Sequence, residues 1–307
     1  MSEGGGGGVG AGPAIAISGL VKDYGPVHAV RGIDLEVRRG EVFGFLGPNG
    51  AGKSTTIRCL LDLLRPTAGR IEVLGLDPQR NGVAIRGRLA YVPGELRLPD
   101  RLTVTQLVTS IGRLRGGFEP RRRDALAERL NLDLGRRLRD LSSGNRRKVA
   151  LLLAFLAPAE LLILDEPTSG LDPLMQHVFL QMVREARDAG ATIFLSSHVL
   201  SEVQRAADRV AVLRAGKVVA LGSVEAIRGR VRQRLEAWFE GPPPSAAELA
   251  ALPGIEGPQL DGQRFTAILG GPIQPVIELL GRHQVAQLTV QEPDLEEAFL
   301  DLYGDGT

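Results

Sequence analysis

From Ala14 to about residue 228, short uninterrupted apolar runs alternate with stretches whose apolar residues return every three or four positions. Continuous short runs predict strands buried on both faces, and the wider spacing predicts amphipathic helices. Strands are expected at 42–46, 161–164 and 192–195. A helix is expected at 55–64, and a hairpin pairs 210–213 with 218–221 around Ala215-Gly216. This alternation, punctuated by Gly and Pro, predicts an α/β layout over 14–228. Between 97 and about 150 the strands vanish at first and an Arg-rich helical pattern takes over, which predicts a helical subdomain inserted in the α/β core.

After Gly229 the pattern changes. Strands at 234–240, 255–260, 264–269 and 286–291 alternate with helices at 245–252 and 274–282, and a last helix begins at Asp294. Asp261-Gly262 marks a tight hairpin turn. Asp294 and Glu297 suit a reciprocal helix cap. The order β-α-β-β-α-β-α predicts a small ferredoxin-like α+β domain over 229–307.

Composition narrows the class. The chain has 307 residues, a formal net charge of +1 and one cysteine, Cys59. One cysteine forms no internal disulfide and reads as a small buried hydrophobe. Residues 1–13 are glycine-rich, lack the basic-then-apolar order of a signal peptide, and read as a disordered arm. The most apolar stretch, 149–164, is broken by Pro158 and Glu160, and the piece before Pro158 is too short to span a bilayer. The protein is expected to be soluble when isolated, with any membrane role supplied by a partner.

The strongest chemical signal follows the strand at 42–46. Gly47-Pro48-Asn49-Gly50-Ala51-Gly52-Lys53-Ser54 fits G-x-x-x-x-G-K-[ST], and Thr55 continues into the helix. Glycines let successive N–H groups turn inward on a phosphate, and the helix N-terminus favours negative charge. Lys53 can reach the β- and γ-phosphates, and the Ser54 hydroxyl can ligate Mg²⁺. The second signal is Leu161-Leu162-Ile163-Leu164-Asp165-Glu166. Two acids ending a buried strand are costly unless a cation or partner stands nearby. With a phosphate loop upstream, Asp165 is expected to hold Mg²⁺ and Glu166 to orient and deprotonate the attacking water.

Leu141-Ser142-Ser143-Gly144-Asn145 opens an apolar helix just before that strand. Here the chain resembles the ATP-binding cassette (ABC) family, whose signature is Leu-Ser-Gly-Gly-Gln. Ser143 replaces the first glycine and Asn145 the glutamine. The resemblance covers about the first 225 residues. It implies that Ser142 and Gly144 meet the γ-phosphate of a second copy, and that Thr168-Ser169-Gly170-Leu171-Asp172 is the family's D-loop, with Asp172 at the nucleotide. His198, in Ser196-Ser197-His198, is the implied γ-phosphate sensor, and Tyr24 the aromatic that stacks on adenine. Residues 292–300 look like the ending of ATPase subunits of ABC-2-type exporters, the group of the daunorubicin-resistance ATP-binding subunit.

The resemblance therefore implies an ATPase using ATP and Mg²⁺. It would act as a homodimer of nucleotide-binding subunits at the cytoplasmic face of the membrane, driving a separate integral membrane permease subunit. The competing class is a non-transport ABC ATPase acting on ribosome or DNA. Such proteins typically carry two cassettes or a long coiled-coil insertion, and neither is visible here. A neighbouring gene encoding apolar spans would separate the two classes. No nucleic-acid partner is expected: the runs at Arg121-Arg122-Arg123, Arg136-Arg137 and Arg146-Arg147-Lys148 are interspersed with acids and read as solvated helical faces. One position departs from the family. Gly94, after the strand at 89–92, stands where a glutamine is usual, and Glu95 either substitutes for it or is a surface acid.

Overall fold

The computed structural model describes residues 12–228 and 233–291, and divides the chain into two compact units between Val224 and Glu225, just ahead of the expected 228/229 boundary. The first eleven residues of the glycine-rich arm and the helix expected from Asp294 lie outside the described residues.

The first unit opens with β1 (Ile15–Tyr24) and β2 (Val27–Val37), then β3 (Val42–Leu46), α1 (Lys53–Leu60), β4 (Ala68–Val73), α2 (Pro78–Arg88) and β5 (Leu89–Val92). The helical subdomain follows: α3 (Val104–Leu114), α4 (Pro120–Arg129) and, after a 3₁₀ turn at Leu138–Asp140, α5 (Ser143–Phe155). The core resumes with β6 (Leu161–Asp165), α6 (Pro173–Asp188), β7 (Thr192–Ser197), α7 (Leu200–Gln204), β8 (Arg209–Arg214) and β9 (Lys217–Ser223).

Two sheets result. The larger has the order β5-β6-β7-β3-β8-β9, parallel except for the β8–β9 hairpin. Strands β3, β6 and β7 are buried at every residue, as their largely apolar runs predict for a sheet covered on both faces. The smaller sheet, β2-β1-β4, is antiparallel. It was not expected, because bulges interrupt the β1–β2 register and the burial of β2 alternates only near its end. Helix α1 is also shorter than predicted. It stops before Asp62, which takes the left-handed φ of 54° and turns the chain out of the helix.

Local caps fix the helix starts. The Thr103 hydroxyl accepts from Gln106 N while the Gln106 side chain accepts from Thr103 N, so α3 begins at Val104. Ser142 caps α5 and Asp172 caps α6, ahead of Pro173. Between the sheets and α1 the core is aromatic as well as aliphatic. The Phe194 ring stacks on Phe43 at 5.9 Å and tilts against Phe45 at 5.0 Å, all three without solvent exposure.

The second unit begins with α8 (Val224–Arg228), whose first residue still belongs to the first unit, and continues through β10 (Gln233–Phe239), α9 (Ala246–Ala250), β11 (Ile255–Asp261), β12 (Arg264–Leu269), α10 (Gln274–Leu280) and β13 (Val285–Gln291). Its four strands are antiparallel in the order β11-β12-β10-β13, which is the ferredoxin-like arrangement. Leu235, Ala237 and Phe265 of the sheet pack with Leu249 of α9 and Val276 of α10 in a core of its own.

Two separate cores make two separable unfolding transitions. Replacing Phe194 by Ala should cost about 3–5 kcal/mol in the first unit. The single tryptophan, Trp238, lies on β10 and reports the second unit. In urea, Phe194→Ala should lower the midpoint seen by far-UV circular dichroism and leave the Trp238 fluorescence midpoint in place. Equal movement of both signals would show one cooperative unit instead.

Candidate active site

Strands β5, β6, β7 and β3 are consecutive neighbours, all parallel, so their carboxyl ends reach the same edge of the sheet. Ligands of open α/β sheets bind outside such ends. Segments far apart in sequence meet there: the loop after β3, Pro93–Glu95 after β5, Asp165-Glu166 at the end of β6, and His198 after β7. They enclose a cavity of about 420 Å³.

The loop after β3 is held in a tight curl. Ala51 N donates to Pro48 O at 3.2 Å, and Gly52 takes φ 105°, a left-handed conformation that a side chain resists. A Cβ at Gly52 would also stand 2.6 Å from the Ala29 carbonyl oxygen. The curl starts α1 directly at Lys53, whose ammonium turns back to donate to Gly47 O at 2.6 Å and Pro48 O at 3.3 Å. Lys53 is buried and is 3.2 Å from Glu166 Oε1, so its charge is met inside the site.

Glu166 is the hub. Its φ of 49° is unusual for a residue with a side chain. Its N–H donates to both the carbonyl and the hydroxyl of Ser196, each at 3.2 Å, which holds this backbone. Oε2 meets His198 Nδ1 at 2.5 Å. The carboxylate thus spans Lys53 on one side and His198 on the other. Asp165, almost fully buried, pairs in register with Ser196 and accepts a hydrogen bond from its hydroxyl. Tyr91 stays an uncharged phenol: burial first, and then Asp165, push it up to about 12, against an opposing pull from Arg58. Behind the wall, Glu202 accepts from Thr168 Oγ1 at 2.7 Å and Ser197 Oγ at 2.9 Å, tying the segment after Glu166 to the segment before His198.

Most sequence-predicted residues converge here. Lys53, Ser54, Thr55, Asp165, Glu166 and His198 line the cavity, and so do Pro48, Asn49, Gly50 and Gly52. Gly47 and Ala51 serve the curl: the first through its carbonyl on Lys53, the second as a buried packing residue. Tyr24 is not in the wall. It ends β1 as an exposed ring, with the Lys22 ammonium 5.1 Å from its centroid. Ser142, Gly144 and Asp172 are not in the wall either. Ser142 is exposed at the start of α5, Gly144 lies against the carbonyl oxygen of Gly170, and Asp172 is exposed at the start of α6.

Sequence reasoning missed Ala29 and Arg58 on the cavity wall and Glu202 behind it, and it placed Ser169 in the D-loop without a role of its own. Arg58 was legible in retrospect, because it follows Ser54 by one helical turn on the same face. Glu95 is on the wall and exposed. Cys59 is buried, and burial pushes its thiol up, as a packing residue requires. One expectation is overturned: Arg147 and Lys148 are buried, not on a solvated face, because α5 packs against the core just where they fall.

Comparison with known proteins identifies the family. Residues 30–169 match the ABC transporter family. The daunorubicin resistance ATP-binding protein DrrA3 of Streptomyces coeruleorubidus is 36% identical, over 95% of this chain and 96% of that protein. Nod factor export ATP-binding protein I of Rhizobium sp. (strain N33) is 33% identical, over 95% of this chain and 97% of its own. Among solved structures, an ATP-binding subunit of an ABC transporter superposes with a TM-score of 0.65 at 31% identity, covering 70% of this chain and 92% of that one. At such identity along nearly its whole length, the chain belongs to the ABC transporter family, in which it takes the part of an ATP-binding, ATP-hydrolysing subunit.

Proposed function

We propose that this chain is the ATPase subunit of an ABC-2-type exporter, that it closes as a homodimer on ATP and Mg²⁺, and that a separate integral membrane subunit carries the substrate. The observation that carries the reading is the span of Glu166 between Lys53 and His198 in a cavity also lined by the phosphate loop. The names of its relatives, a daunorubicin resistance ATP-binding protein and a Nod factor export protein, support export as the direction of transport. Among the described residues no helix is long and apolar enough to cross a membrane, so the transport pathway is assigned to a partner.

The donor set fits Mg²⁺. The Ser54 hydroxyl and the Asp165 carboxylate are hard oxygen donors on one cavity wall. Among the described residues no cluster of three or more His, Cys, Asp or Glu could hold a metal alone. A metal here would take its other ligands from phosphate and water, as Mg²⁺ commonly does. When bound, it would draw negative charge off the phosphates.

The chain's own groups do the rest. Backbone N–H groups of Gly50 and of Gly52 to Ser54, at the start of α1, receive the phosphates. Lys53 takes the γ-phosphate, which competes with Glu166 for its ammonium. Released from Lys53, the Glu166 carboxylate accepts the proton of the attacking water. His198 holds the γ-phosphate and keeps Glu166 oriented. Tyr24 offers an open ring face for adenine. Ser142 and Gly144 face the γ-phosphate bound by a second copy, and the exposure of Ser142 outside the cavity supports that role. Asp172 meets the nucleotide from the D-loop as the two copies close. Phosphoryl transfer depends mainly on such positioning and charge stabilisation.

Glu166→Gln should keep ATP affinity or raise it slightly, since the competitor for Lys53 loses its charge. Its kcat should fall about 10²- to 10⁴-fold, the usual worth of a general base, and an ATP-bound dimer should accumulate. Lys53→Ala should instead weaken ATP binding itself. Equilibrium binding of a fluorescent ATP analogue beside steady-state phosphate release checks both, and near-wild-type turnover by Glu166→Gln would defeat the assignment.

The transport class is tested by co-expression with any polytopic protein found encoded beside this chain. The chain should then sediment with membranes and be retained by that protein after detergent extraction. Retention of ribosomes or DNA in place of a polytopic partner would favour the non-transport class.

A further inference from the structure

Arg147 is a buried guanidinium, 7% exposed, on the first turns of α5. Its two terminal nitrogens divide between consecutive backbone carbonyls: Nη1 donates to Pro93 O at 2.6 Å, and Nη2 to Gly94 O at 2.7 Å. This is a bidentate fork onto neutral acceptors. Burying a cation on carbonyls is unfavourable compared with leaving it in water. Burial accordingly lowers its affinity for the proton, and the charges of Asp165 and Glu166 oppose that loss.

The clamped loop matters because of what it touches. A Cβ built on Gly94 would stand 3.1 Å from Asp165 Oδ2 and 3.3 Å from its Cγ, so the Gly94 backbone packs directly beside this carboxylate. The other oxygen, Oδ1, accepts from Ser196 Oγ. Asp165 is therefore fixed from β7 on one side and walled by a loop on the other. That loop has no side chain at Gly94 to tether it, and its tether is Arg147.

The geometry points to Arg147 as a positioning residue: it ties α5, the helix opened by Ser142, to the metal-binding carboxylate Asp165 through the Pro93-Gly94 backbone. The link runs through main-chain carbonyls, so it needs no glutamine at position 94. The inference rests on the reading of Asp165 as a metal holder. Lysine cannot replace the fork, because one ammonium is a point donor and the two carbonyls need a planar pair.

The test uses the full chain and Mn²⁺ in place of Mg²⁺, with binding read by electron paramagnetic resonance in the presence of ATP. Arg147→Ala should bind ATP within about twofold of wild type when no divalent ion is added. Its Mn²⁺ affinity should fall about tenfold, the scale of losing hydrogen bonds to a charged group. Arg147→Lys should fall between the two. Gly94→Ala, which keeps Arg147 and sets a Cβ 3.1 Å from Asp165 Oδ2, should weaken Mn²⁺ in the same direction and guards against a misfolded Arg147 variant. Mn²⁺ affinity within twofold of wild type in folded Arg147→Lys and Gly94→Ala proteins would overturn the inference. Asp165→Asn separates the two levels. If it weakens Mn²⁺ while the other variants do not, the positioning role alone fails; if it leaves Mn²⁺ unchanged, the metal reading of Asp165 fails with it.

Discussion

Everything in the first unit depends on four parallel strands ending at one edge. The order β5-β6-β7-β3 places β7 between the strand that feeds the phosphate loop and the strand that ends in Asp165. That adjacency lets Ser196 hold Glu166 and Asp165 at once, and it brings His198 within reach of Glu166. The apolar core beneath is what makes the edge rigid. Phe43, Phe45 and Phe194 come from β3 and β7 and lock the central pair of strands together. The chemistry is placed by a sheet, and the loops above it only extend what the sheet has aligned.

The site brings opposite charges together in a confined space. Lys53 and Glu166 satisfy each other at 3.2 Å, at a position where either alone would be costly to bury. His198 adds a second partner to the same carboxylate. A triphosphate entering this site therefore exchanges one anionic partner of Lys53 for another and leaves the Glu166 carboxylate to its remaining partner, His198. Such an exchange couples nucleotide entry to a change in the surroundings of Glu166, the residue assigned to the water.

Contiguous signals were legible in the sequence and distributed ones were not. The β3 run is apolar at four of its five positions and the loop after it fits one pattern, so strand, curl and Lys53 could all be placed from a few neighbouring residues. The same holds for β6 and its two acids, and for the antiparallel order of the second unit, where the Asp261-Gly262 turn and the element order decide the fold. The sheet β2-β1-β4 was hidden because its strands are partly exposed and bulged, which blurs the two-residue alternation. Arg147 was misread because its neighbours are basic, and local charge suggests water. Only the fold shows that its partners lie more than fifty positions away on Pro93 and Gly94.

Glu166 occupies a left-handed backbone conformation, with φ 49°, that costs a residue with a Cβ on the order of 1–2 kcal/mol. Glycine or asparagine would sit there more comfortably, and neither carries a carboxylate that reaches both Lys53 and His198. Selection for thermal stability alone would therefore press against the residue proposed to act on the attacking water. Consensus or stability-guided engineering of this chain should hold that position fixed, because the strain and the proposed activity fall on the same few atoms.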